Sequence, residues 1–148
     1  MTTALNLTLK LKQDADSKKA LDALKSSFAT VIQPMIDKAL RESQLVHFAR
    51  VLVIDDQYIQ VITEFDGDKK VYTEWFRKSL PNVFAAIFSL AEGAPSWAEL
   101  NDPDKFYSYS SRMNVRSLGA DPNNPIAEGF LFSATGDHTV KEIVGKLA

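Results

Sequence analysis

Leucine recurs at every second position from Leu5 to Leu11, with Asn6, Thr8 and Lys10 between. This period predicts a strand with one apolar and one polar face. After Asp14-Ala15-Asp16-Ser17, a stretch suited to capping a helix, the period lengthens. Ala20, Leu21, Leu24, Phe28, Val31, Ile32, Met35, Ile36, Ala39 and Leu40 then fall along one side of a helix. Pro34 lies on its polar side, which predicts a kink or a restart rather than two unrelated helices. Val46–Ile54 and Tyr58–Asp68 are apolar runs rich in β-branched residues, separated by Asp55-Asp56-Gln57. They predict two paired antiparallel strands. A second helix follows, with Tyr72, Trp75, Phe76, Leu80, Val83, Phe84, Ile87 and Phe88 on one side and Pro81 off it.

Residues 93–125 are rich in Pro, Asn, Asp, Ser and Gly and read as an irregular insertion. Short helical pieces are expected near 97–100 and 104–109. Ile126 to Thr135 has the composition of a strand, and Thr139-Val140-Lys141-Glu142 resembles a capping box opening a helix to Leu147. The order is β-α-β-β-α-β with a C-terminal helix. It predicts an α+β fold of ferredoxin-like split β-α-β topology, a four-stranded antiparallel sheet with helices on one face, in a single domain over 1–148.

Side-chain alternation assigns the faces. Leu5, Leu7, Leu9 and Leu11, with Phe48, Leu52, Ile54, Ile59, Val61 and Phe65, are expected beneath the helices. Asn6, Thr8, Lys10, His47, Ala49, Val51, Val53, Gln60, Ile62 and Glu64 are expected on the open face. Only an even-length turn keeps the apolar residues of both strands together. A turn at Asp56-Gln57 sets His47 opposite Asp66; one at Asp55-Asp56 sets it opposite Glu64. Arg50 then falls on the helix side, its stem packed and its guanidinium reaching an acid such as Asp55 or a helix end. The mixed apolar and polar open face fits a partner or ligand surface, and a sheet-to-sheet homodimer would cover it.

Composition narrows the chemistry. With 148 residues, 45% hydrophobic, and a formal net charge of −2, the chain has no broad basic surface for phosphates. Nucleic acid is not an expected partner. There is no cysteine, which removes disulfides, thiolate metal sites and cysteine nucleophiles. No secretory pattern opens the sequence and no run is long enough to span a membrane, so a cytoplasmic location is expected. Phosphate-binding glycine loops, Gly-x-Ser-x-Gly and His-Glu-x-x-His are missing. Glu64-Phe65-Asp66-Gly67-Asp68 lacks EF-hand spacing, and no metal or other cofactor is expected.

His47 beside Glu64 or Asp66 is the best acid/base combination, with Arg50, Lys10 and Gln60 as candidate ligand-binding groups. A carboxylate neighbour favours the imidazolium and orients the ring, in a catalytic or a purely structural pair. His47-Phe48-Ala49-Arg50, Ile54-Asp55-Asp56 and Phe65-Asp66-Gly67-Asp68 resemble a group of bacterial ferredoxin-like α+β proteins without a settled function. The resemblance covers residues 46–68 and implies pairing as dimeric α/β barrels, which include cofactor-free oxygenases, haem enzymes and binding modules. Thr63-Glu64-Phe65-Asp66-Gly67 is similar to the Gly-x-x-Asp-Gly element of dye-decolourising peroxidases, without its first glycine. The expected function is a homodimer that binds a small molecule or acts on one. The alternatives are a non-catalytic assembly module and, more distantly, a haem-associated protein.

Overall fold

The leucine alternation forms β1 (Thr2–Lys10) in a computed structural model that describes residues 2–119, 123 and 129–148. Asp14 caps the next helix, α1 (Ala15–Ser27), accepting from the Ser17 N–H at 3.0 Å. The helix does not break at Pro34. It widens instead into a π-helical stretch, Phe28–Ile32, closed by the Gln33 N–H on the Phe28 carbonyl, and continues as α2 (Gln33–Ser43). Pro34 has no N–H for the preceding turn, and the wider stretch absorbs that loss.

Strands β2 (Val46–Ile54) and β3 (Tyr58–Asp66) follow. The sheet order is β1-β3-β2 with both pairings antiparallel, so β1 and β2 run parallel with β3 between them. The second helical run is two helices. Leu80, at φ −131° and ψ 47°, leaves the helical region between α3 (Lys69–Ser79) and α4 (Pro81–Ser89). Proline suits the first position of the new helix, where its missing N–H has no partner to lose. Leu5, Leu7, Leu9, Ile59, Val61 and Phe65 pack with Tyr72, Phe76, Phe84 and Phe88 into one core, with the Phe65 and Tyr72 rings stacked at 3.8 Å.

Two expectations are corrected. The first is the four-stranded sheet: among the described residues it has three strands. The place beside β1 is already taken. Lys12 and Glu92 N–H groups bond the Leu90 and Lys10 carbonyls, and Thr8 and Val115 N–H groups bond those of Met113 and Asn6, all at 2.8–2.9 Å. The described part of the expected last strand, 129–135, lies against the chain before it: Phe130 N–H reaches the Leu118 carbonyl at 3.1 Å. Gly129, at φ +87°, sits so close that a Cβ would fall 2.2 Å from the Ser117 carbonyl oxygen. Residues 126–128 of that expected strand lie outside the described residues.

The short helical pieces expected within the insertion are present, the second of them longer than expected. Helices α5 (Trp97–Leu100) and α6 (Pro103–Arg112) send Leu100, Phe106 and Tyr109 into the core. Phe106 meets the Phe84 ring edge-on at 5.6 Å. Helix α7 (Val140–Leu147) has the expected capping box at Thr139 and Glu142 but buries no residue. No described helix is long and apolar enough to cross a membrane.

The second correction decides the site. Ile54 pairs with Tyr58 across a three-residue turn. Asp55 and Asp56 have φ of 51° and 52°, and the Gln57 N–H closes on the Ile54 carbonyl at 2.9 Å. Positive φ at both central residues matches the twist of a hairpin, and Gln57 makes the loop odd. Every side chain of β2 beyond the turn therefore changes face. Ala49, Val51 and Val53 join Thr63, Val61 and Ile59 under the helices, while Phe48, Arg50, Leu52 and Ile54 share the open face with Glu64, Ile62, Gln60 and Tyr58. Between Val46 and Phe48 the register slips, leaving His47 as the extra residue of a β-bulge. The slip turns Val46 back into the core opposite Phe65.

This register separates two neighbouring substitutions. Val51→Asp puts a carboxylate against the helices and is expected to cost about 3 kcal/mol or more, whereas Leu52→Asp stays within about 1 kcal/mol. Urea titration of both variants measures the difference, and equal losses would contradict the register.

Candidate functional site

The bulge that restores Val46 to the core also swings His47 across the strand end. Its Nε2 lies 2.8 Å from Asp66 Oδ1 and 3.2 Å from Thr2 Oγ1, and the Thr2 hydroxyl donates to the same carboxylate oxygen at 3.2 Å. The other oxygen, Asp66 Oδ2, accepts the Val140 N–H at 2.7 Å. Val140 opens α7, so one carboxylate ties the ends of three strands to the start of the C-terminal helix. The His47 and Asp66 side chains are only 12% and 9% exposed.

Burial pushes the Asp66 pKa up, but the Val140 N–H, the His47 ring and the Thr2 hydroxyl outweigh it. The carboxyl is held below its ordinary value. An Asp66 with every oxygen engaged holds structure well and is poorly placed to trade protons with a substrate.

Glu64 differs. Burial raises its carboxyl above the ordinary value against the opposing charges of Arg50 and His47. With Phe48, Ala49 and Arg50 it lines a hollow of about 310 Å³ at the open-face end of β2 and β3. A partly buried carboxyl with raised pKa keeps its proton more readily than a free one, and the guanidinium beside it can hold an anionic group.

The expected site residues thus divide. His47, Asp66, Glu64 and Arg50 meet at one end of the sheet. Lys10 and Gln60 belong to the other end, where Lys10 pairs with Glu92 at 3.8 Å and Gln60 Nε2 donates to Thr8 Oγ1 at 3.1 Å. Arg50, expected against the helices, stands on the open face. Thr2 and the Val140 N–H were not foreseen: the capping box marks where α7 starts, but no sequence pattern says what it docks against.

Among the described residues no group of three or more His, Asp or Glu side chains is placed to hold a metal ion. Haem does not suit the histidines described: His47 is engaged with Asp66 and Thr2, and His138 stands at the exposed start of α7, 3.4 Å from Glu142. Comparison with protein-family models, curated proteins and solved structures finds no match to this chain.

The two carboxylates respond to pH with opposite signs. Asp66, with its folded pKa depressed, contributes stability above the ordinary carboxylate value that is lost as pH falls through its folded pKa. Asp66→Asn is therefore expected to lose about 1–3 kcal/mol at pH 7, with the gap to wild type closing below about pH 4. Glu64, with its folded pKa raised, is penalised when ionised and relieved as pH falls. Glu64→Gln is expected to melt no lower than wild type at pH 7 and level with it in acid. Thermal melts from pH 3 to 8 test both signs.

Proposed function

We propose that this chain is a small-molecule-binding protein that works as a homodimer, with the open sheet face as the subunit contact and the Arg50–Glu64 hollow enclosed beside it. The observation that carries this reading is the exposure of Phe48, Leu52, Ile54 and Tyr58, from 37% to 77%, on one face of a sheet whose other face is packed. Apolar area gathered on one face in this way marks an interaction surface. The chain exposes 9013 Å² in all. A compact monomer of its mass exposes about 7,500 Å², and one side of a standard interface needs about 800 Å².

In this reading the second copy shields Phe48 and Leu52 and removes water from Glu64 and Arg50. Arg50 would anchor an acidic or strongly polarised group, and Glu64 would give or take the proton. His47 and Asp66 hold the strand end that carries them. Sheet-to-sheet contact needs a tolerant rim, and Asn6, Thr8, Lys10 and Gln60 supply one on the β1 side.

Sedimentation equilibrium is expected to show a dimer at micromolar concentration. Leu52→Glu, which places a charge at the contact without a partner, should weaken it at least tenfold. Native mass spectrometry of the purified dimer should show a surplus mass that Arg50→Ala loses. A wild-type monomer would contradict the dimer. A dimer without surplus mass in either variant would leave assembly alone as the function.

A further inference from the structure

A second cavity lies on the opposite side of the sheet, and its walls come from three parts of the chain. Val51, Val61 and Thr63 form its floor. Phe28, Ile36 and Leu40 of the α1–α2 arm form one wall, and Phe84 and Ile87 of α4 the other. Its volume is about 370 Å³, within the range of small-molecule sites.

The cavity has a local cause. Helix α2 buries none of its residues, although Ile36, Ala39 and Leu40 face the core. It meets the core only through these partly buried side chains, directly after the π-helical stretch. Phe28 and Gln33, the two ends of the hydrogen bond that closes that stretch, both line the cavity. π-Helical insertions are frequent at functional sites.

One polar group marks the floor. Thr63 is fully buried, and its hydroxyl has no hydrogen-bond partner. The Tyr72 hydroxyl is also buried, and the two hydroxyls lie close enough to interact without completing a well-formed hydrogen bond. Burial pushes the Tyr72 pKa far up, so the phenol stays neutral and remains a donor. A buried hydroxyl without a partner is costly. An acceptor oxygen in the cavity would take the Thr63 proton and leave Thr63 free to accept from Tyr72. Arg50 also borders the cavity, between Ala49 and Val51, but the register sends its side chain to the opposite face of the sheet, so its guanidinium does not face a carboxylate on this floor. At the rim, Asp37 is answered by Arg41 at 3.0 Å.

We infer that this cavity binds a neutral, largely aliphatic molecule carrying a carbonyl oxygen, with Thr63 as its anchor. The site is independent of the open face and of the dimer. Isothermal titration with 2-decanone, and with decanoate as the charged counterpart, tests it. Wild type should bind the ketone, with decanoate at least tenfold weaker. Ala49→Leu, which fills the cavity from β2, should abolish ketone binding, and Thr63→Val, close to it in shape, should weaken it about tenfold. Leu52→Glu, on the open face, should bind as wild type does. Circular dichroism melts show that each variant is folded. The inference is overturned if the ketone does not bind, if folded Ala49→Leu or Thr63→Val binds it unchanged, or if Leu52→Glu abolishes binding, which would place the ligand in the subunit contact.

Discussion

The register between β2 and β3 is the constraint on which the rest of the molecule depends. A three-residue turn with two left-handed aspartates fixes it at one end, and the bulge at His47 ends it at the other. Between them every β2 side chain has its face assigned. A slip of one residue would bury Phe48, Arg50 and Leu52 and expose Ala49, Val51 and Val53. The floor of the helix-side cavity, the apolar open face and the placing of Arg50 beside Glu64 all follow from this one pairing.

The bulge also joins fold to site. Val46 must return to the core opposite Phe65, and one extra residue achieves the return. That residue is His47, and its ring is carried to Asp66 as a consequence. Asp66 gathers Thr2, His47 and Val140, linking strand ends distant in sequence to the terminal helix. Such a junction stabilises geometry, whereas the Glu64 carboxyl is raised above its ordinary value by burial. Two carboxylates two residues apart on one strand thus take different roles, because only one is supplied with hydrogen-bond donors.

Much of the architecture was legible in the pattern. β1 and β3 carry clean alternation, and their faces follow from it. The α1–α2 stripe, the hairpin and the capping box before α7 are likewise written in residue type and spacing. β2 was not legible by the same means, because Val51-Leu52-Val53-Ile54 is apolar at both parities and alternation cannot choose between them. Arg50 was the available signal: a guanidinium forced beneath the helices argued for the opposite face. That the described residues form no fourth strand has another cause. Residues 90–92 and 113–115 occupy the free edge of β1, and three residues each are too few to carry a strand period. The His47–carboxylate meeting arises through a bulge, although either even-length register would also have brought a carboxylate near.

The most direct measurement of this account is the set of interstrand contacts in an NMR spectrum of the labelled chain. Nuclear Overhauser effects should join the Val51 methyls to those of Val61 and the Ala49 methyl to that of Thr63, with Leu52 giving none to either valine. Contacts of Leu52 with Val61 or Ile59 in place of these would put the hairpin in an even-turn register. They would remove the basis for both the open face and the cavity.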